Sequence, residues 1–86
     1  MMPMTLTREQ CRAARALLGW TQAELARRAG VACGTVRGFE NGWHHPIRNN
    51  LATLQAVMEA AGVMFIEEGE YGCGVRLRNP NGRADG

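Results

Sequence analysis

Serine and lysine are both missing from this 86-residue chain. Their absence removes two common covalent nucleophiles. His44 and His45 have no evident carboxylate to orient them, and no phosphate-cradling glycine loop accompanies them. Catalysis is therefore the least favoured class. Cysteine is sparse: Cys11, Cys33 and Cys73 are odd in number, far apart, and include no Cys-x-x-Cys pair. That excludes a disulfide framework or zinc knuckle as the organising device. No ligand spacing repeats around the two histidines, so neither a metal nor a cofactor is expected. Long apolar runs are also lacking. None approaches the roughly 18 residues of a membrane span, and no charged-then-apolar leader opens the chain. No membrane partner and a cytoplasmic location are expected.

Net charge is only +2, too little to identify a partner. Its distribution says more. Residues 1–48 carry seven arginines against three glutamates, whereas residues 49–86 carry three arginines against five acids. A basic half of this kind is an electrostatic footprint for phosphate, and arginine, the only cation used, offers planar bidentate donors.

That basic half contains Gly19-Trp20-Thr21-Gln22-Ala23-Glu24-Leu25-Ala26-Arg27-Arg28-Ala29-Gly30-Val31-Ala32-Cys33-Gly34-Thr35-Val36-Arg37-Gly38-Phe39-Glu40-Asn41-Gly42. It reads as two short helices joined by a glycine turn, the spacing of a helix-turn-helix whose second helix enters the DNA major groove. Thr7-Arg8-Glu9-Gln10 has the form of a capping box and opens a preceding helix that Gly19 ends. Cys11, Ala14 and Leu18 line its inward stripe, leaving Arg8, Arg12 and Arg15 on other faces. Thr21-Gln22-Ala23-Glu24 reads as a second capping box, with a helix running to Ala29. Gly30 makes the turn and Val31 plugs the corner. The next helix covers Cys33 to Glu40, with Ala32 at a cap position where its side chain cannot cap. Val36 and Phe39 face inward, and Cys33, Gly34, Arg37 and Gly38 face outward. Cys33 is the outward thiol, for which redox sensing is the less favoured reading. Trp20 fits a helix junction at the core, and Trp43 follows the recognition helix.

A fourth helix, from Arg48 to Ala61, carries Leu51, Leu54, Val57, Met58 and Ala61 at helical spacing. The period then changes. Val63-Met64-Phe65-Ile66 and Val75-Arg76-Leu77-Arg78 flank a turn-like Gly69-Glu70-Tyr71-Gly72, predicting a β-hairpin. An isolated hairpin is marginal in water, so it must pack on the helices or pair with a second subunit. Val63, Phe65, Val75 and Leu77 are its candidate dimer residues.

The stretch from about Gln10 to Ala61 resembles the Cro/phage-repressor class of helix-turn-helix regulators, the xenobiotic-response-element (XRE) family. The likeness rests on Arg15-Ala16-Leu17-Leu18-Gly19-Trp20-Thr21-Gln22, Leu25-Ala26, Ala29-Gly30-Val31, Thr35-Val36 and Phe39-Glu40-Asn41-Gly42. The fold this implies is mainly α, a four- to five-helix lambda-repressor-like DNA-binding domain with a short C-terminal β-hairpin. The division expected is a flexible N-terminus over 1–6, the DNA-binding domain over 7–62, the hairpin over 63–78 and a disordered tail over 79–86. The resemblance implies phosphate contacts at Gln22, Asn41 and Arg48. It places Cys33, Gly34, Arg37 and Gly38 on the base-reading side, with Thr35 at its edge. Relatives usually present Gln, Arg, Ser or Lys at several of those places. Here Arg37 and Thr35 supply the direct hydrogen-bonding groups, Arg37 toward guanine O6 and N7.

The function implied is a sequence-specific DNA-binding transcriptional regulator, a repressor, bound to double-stranded DNA as a homodimer. The alternative is an antitoxin or adaptor whose hairpin or tail grips a toxin or another protein. The hairpin discriminates between them: an apolar face used up by its own domain or by a like subunit leaves no need for a foreign partner.

Overall fold

The computed structural model describes residues 6–67 and 72–78. These form α1 (Arg8–Leu18), α2 (Gln22–Ala29), α3 (Cys33–Glu40), α4 (Arg48–Ala60), β1 (Val63–Ile66) and β2 (Gly74–Leu77). The disordered tail expected over 79–86 and most of the expected hairpin turn lie outside the described residues. Of the flexible start expected over 1–6, only Leu6 is described, and it is buried against the core rather than frayed.

Local chemistry sets the helix ends. The Thr7 hydroxyl accepts the Gln10 backbone N–H at 3.0 Å, and the Gln10 side-chain Oε1 accepts the Thr7 N–H at 3.0 Å, completing the predicted capping box. The box predicted at Thr21 forms only in half. Thr21 Oγ1 accepts the Glu24 N–H at 3.0 Å, but the Glu24 carboxylate turns to Arg27 at 2.6 Å and Arg28 at 2.5 Å. Two guanidinium groups within one helical turn draw the carboxylate away from a backbone donor. Ala32 stands at the N-cap of α3 with no side-chain bond, as expected.

Between α2 and α3 the Val31 N–H donates to Ala26 O at 3.0 Å and the Gly30 N–H to Arg27 O at 3.3 Å. This is a Schellman closure, and it holds Gly30 at φ +71°. A residue bearing a Cβ adopts that conformation at a cost of about 1–2 kcal/mol, so glycine fixes the angle at which α3 departs.

The core is built from the faces that the helical periodicity predicts: Cys11, Ala14 and Leu18 of α1, Leu25 and Ala26 of α2, Val36 and Phe39 of α3, and Leu51, Leu54 and Met58 of α4. Val63 extends it into β1. The strands pair antiparallel with Val63 opposite Leu77 and Phe65 opposite Val75. Because side chains alternate across a strand, Val63, Phe65, Val75 and Leu77 share one face, and that face packs on the core of this same domain. Met64 and Ile66, on the other face, are exposed.

Polar contacts fasten the hairpin at both ends. Gln10 Nε2 donates to the carbonyls of Ile66 at 3.2 Å and Gly74 at 3.1 Å. Arg78 donates its backbone N–H to Gly62 O at 2.8 Å and Nη2 to Glu59 O at 3.1 Å. The hairpin is therefore a structural layer across α1 and α4, not an appendage.

Candidate nucleic-acid interface

A carboxylate that sequence periodicity leaves unremarked holds the two motif helices in register. Glu40, the last residue of α3, is buried, with its side chain fully covered. Its Oε1 accepts Arg15 Nη2 at 2.7 Å and Gln22 Nε2 at 3.0 Å. Its Oε2 accepts Arg15 Nε at 2.7 Å and Cys11 Sγ at 3.0 Å. One carboxylate thus joins α1, the first residue of α2, and the end of α3. Arg15 also donates Nη1 to Trp20 O at 2.9 Å, tying in the α1–α2 junction. Helical spacing puts Arg15 off the inward stripe of α1, and the structure half-buries it in this network.

The electrostatics follow from the contacts. Burial opposes the charge on Glu40, but the hydrogen bonds from Arg15, Cys11 and Gln22 outweigh it and hold the carboxyl below the ordinary carboxylate range. The same bonds to Glu40 push the Arg15 guanidinium further up. Burial, then the hydrogen bond and charge of Glu40, push the Cys11 thiol well above its usual value. Cys11 is therefore a core residue that also donates a hydrogen bond. Trp20 packs at the core edge, with the Arg28 guanidinium 4.4 Å from its ring centroid.

The outward face of α3 is small and open. Cys33, Gly34 and Arg37 are exposed and Thr35 is half-buried. A Cβ built on Gly34 would meet nothing within 4 Å. Gly38 departs from expectation: it is buried, because the His44 imidazole covers it.

The phosphate candidates occupy three positions. Gln22 begins α2, where backbone N–H groups point outward at a helix N-terminus, and its carboxamide is anchored to Glu40. Asn41, at the C-cap of α3, and Arg48, the first residue of α4, are both exposed. Between them runs a loop with Trp43 at 71% and Ile47 at 67% exposure. Pro46 is buried, and His45 meets the Phe39 ring edge-on with centroids 6.0 Å apart. Arg8, at the start of α1, lays its guanidinium over Gly42, placing a further cation beside the exit of α3.

Sequence reasoning missed the Glu40–Arg15 frame and the His44 cover, both of which join residues from different elements. Among the described residues no group of three or more His, Cys, Asp or Glu side chains is arranged to hold a metal ion, and no helix is long and apolar enough to cross a membrane.

Residues 12–63, more than half the chain, match a family model described as Helix-turn-helix. A comparison with curated proteins returns no match.

Proposed function

This chain belongs to the XRE/Cro–lambda-repressor-like helix-turn-helix family of DNA-binding regulators, and we propose that it acts as a sequence-specific, non-enzymatic transcriptional repressor in the cytoplasm, bound to a near-palindromic operator as a homodimer. The observation that carries this reading is the frame around Glu40. It locks α3 against α1 and α2 while leaving Cys33, Gly34, Thr35 and Arg37 free of core duty.

In this reading α3 lies in the major groove. Arg37 donates to guanine O6 and N7, Thr35 meets a neighbouring base edge, and the bare surface at Gly34 lets the backbone approach closely. Gln22 holds a phosphate through the carboxamide N–H that Glu40 leaves unused, reinforced by the N-terminus of α2. Asn41 and Arg48 grip the backbone on the other side of the helix.

One small domain makes few base contacts, and a two-fold dimer doubles them. Such a dimer reads two half-sites when its recognition helices stand about one turn of DNA apart (~34 Å). Of the inner hairpin residues, Val63 is buried in its own domain, while Phe65, Val75 and Leu77 pack against the core and stay partly exposed. The hairpin surface left to a second copy is its outer face, with Met64 and Ile66. The packing of this inner face on its own core weighs against the antitoxin alternative, in which the hairpin grips a foreign partner.

Selection of bound duplexes from a random DNA pool by the purified protein tests the proposal. The expected result is a two-fold-symmetric motif with half-sites about one helical turn apart. Recovery of duplexes without shared sequence, by a folded protein, would refute it.

A further inference from the structure

The His44 imidazole lies against Gly38 of α3. Gly38 lies on the outward side of α3, one helical turn beyond Gly34, but the two glycines have opposite surroundings. At Gly34 a Cβ would enter open space; at Gly38 it would fall 2.6 Å from Cδ2 and 2.8 Å from Cε1 of His44, and nearer still to Nε2. The imidazole therefore occupies the volume that a side chain at position 38 would fill.

The chain path explains how it arrives there. After α3 the Gly42 N–H donates to Phe39 O at 3.1 Å and the Trp43 N–H to Gly38 O at 2.8 Å. This second Schellman closure has Gly42 at φ +76°. It folds the loop back along the helix, and the His44 N–H also points to Gly38 O, at 3.5 Å. The His45 ring on Phe39 and buried Pro46 fix the following residues. His44 itself is exposed, and no hydrogen bond to its ring is formed within the described residues. A neutral imidazole presents one N–H donor and one acceptor nitrogen. Here Nε2 lies against Gly38, and Nδ1, which is not among the ring atoms nearest that glycine, is the nitrogen left to meet a ligand. The ring is held on the recognition helix before any ligand arrives, at low cost in side-chain ordering.

We propose that His44, delivered from the α3–α4 loop onto Gly38, is a base-reading residue that donates a hydrogen bond to purine N7 in the major groove. This inference rests on the reading of α3 as the DNA-reading helix. Glycine at 38 is then required because it makes room for His44, and the recognition surface spans Cys33, Gly34, Thr35, Arg37 and a borrowed imidazole.

The test repeats the random-pool selection with wild type, His44→Ala and Gly38→Ala, and measures affinity for the wild-type operator and for random duplex. Circular dichroism confirms that the variants fold. His44→Ala is expected to lose the purine preference at one base pair per half-site while the rest of the motif persists. Its affinity for the wild-type operator should fall about tenfold, the scale of one base contact, with random-duplex affinity unchanged. Gly38→Ala displaces the ring and should alter the same base pair. An unchanged motif with His44→Ala would overturn the assignment of His44 alone. Equal weakening on operator and random duplex would also overturn it, making His44 a backbone contact. Absence of any motif with wild type would instead bring down the reading of α3 itself.

Discussion

Replacing Glu40 with alanine is the sharpest perturbation of the proposed frame. The wild-type carboxylate has 0% side-chain exposure and accepts four donors, three of them from Arg15 and Gln22. Truncation strands the paired guanidinium N–H groups, and breaking a buried pair from one side costs about 3–5 kcal/mol. Arg15 keeps 18% side-chain exposure, so water recovers part of its solvation and the lower end, about 3 kcal/mol, applies. A domain of this size has about 4–13 kcal/mol of stability in all, and the midpoint should fall by roughly 12–24 °C. Urea and thermal unfolding followed by circular dichroism measure this. Arg15→Met combined with Glu40→Leu should recover most of the loss, because an apolar pair leaves no charge unpaired. The pH dependence carries the same sign. Because the folded Glu40 carboxyl lies below its unfolded value, its contribution is complete above about pH 4.3 and is lost as pH falls through the lower folded value. Glu40→Gln should shrink that acid limb. A Glu40→Ala variant within about 0.5 kcal/mol of wild type, or additivity with Arg15→Met, would refute the reasoning.

Three further outcomes follow from the geometry. Gly34→Ala, in open space within α3, should stabilise the fold by about 0.5–1 kcal/mol, whereas Gly30→Ala at φ +71° should destabilise it by about 1–2 kcal/mol; urea midpoints distinguish the signs. Arg48→Ala should weaken binding to all duplexes and reduce the salt slope by about 0.9, while Gln22→Ala, removing a neutral group, should weaken binding with the slope unchanged, as titrations at several salt concentrations will show. Alkylation of the native protein at mildly alkaline pH should modify exposed Cys33 and Cys73 and spare Cys11, whose thiol is buried and held protonated; mass spectrometry before and after unfolding reads this directly.

The helices and the hairpin were legible because their signals are local. Thr7 and Gln10 lie three residues apart, Gly30 terminates its own helix, and the alternation of Val63, Phe65, Val75 and Leu77 needs no partner to be seen. What escaped was non-local. Glu40 looks like any polar residue at a helix end until Arg15 and Cys11, 25 and 29 positions earlier, are brought to it. Arg15 has the spacing of a solvent-facing side chain, and only the third helix makes it internal. Glu24 fits a capping box by spacing, yet two arginines in the next turn compete for it. Gly38 reads as a bare patch because a sequence pattern does not reveal that a loop returns an imidazole to cover it. Leu6 precedes the first cap and reads as a frayed end, although it supplies core volume. Alternation grouped the four hairpin residues without saying that Val63 would be buried in its own domain and the other three packed partly against its core.

Sequence-selective binding through α3 is tested most directly by the ratio of dissociation constants for a selected symmetric duplex and a scrambled duplex at physiological salt. The ratio should be measured for wild type and for Arg37→Ala. Wild type should prefer the selected duplex by about 10³-fold or more, and Arg37→Ala should lose about ten- to a hundredfold of that preference with its affinity for scrambled DNA nearly unchanged. Equal affinity of the wild-type protein for the two duplexes would contradict the account.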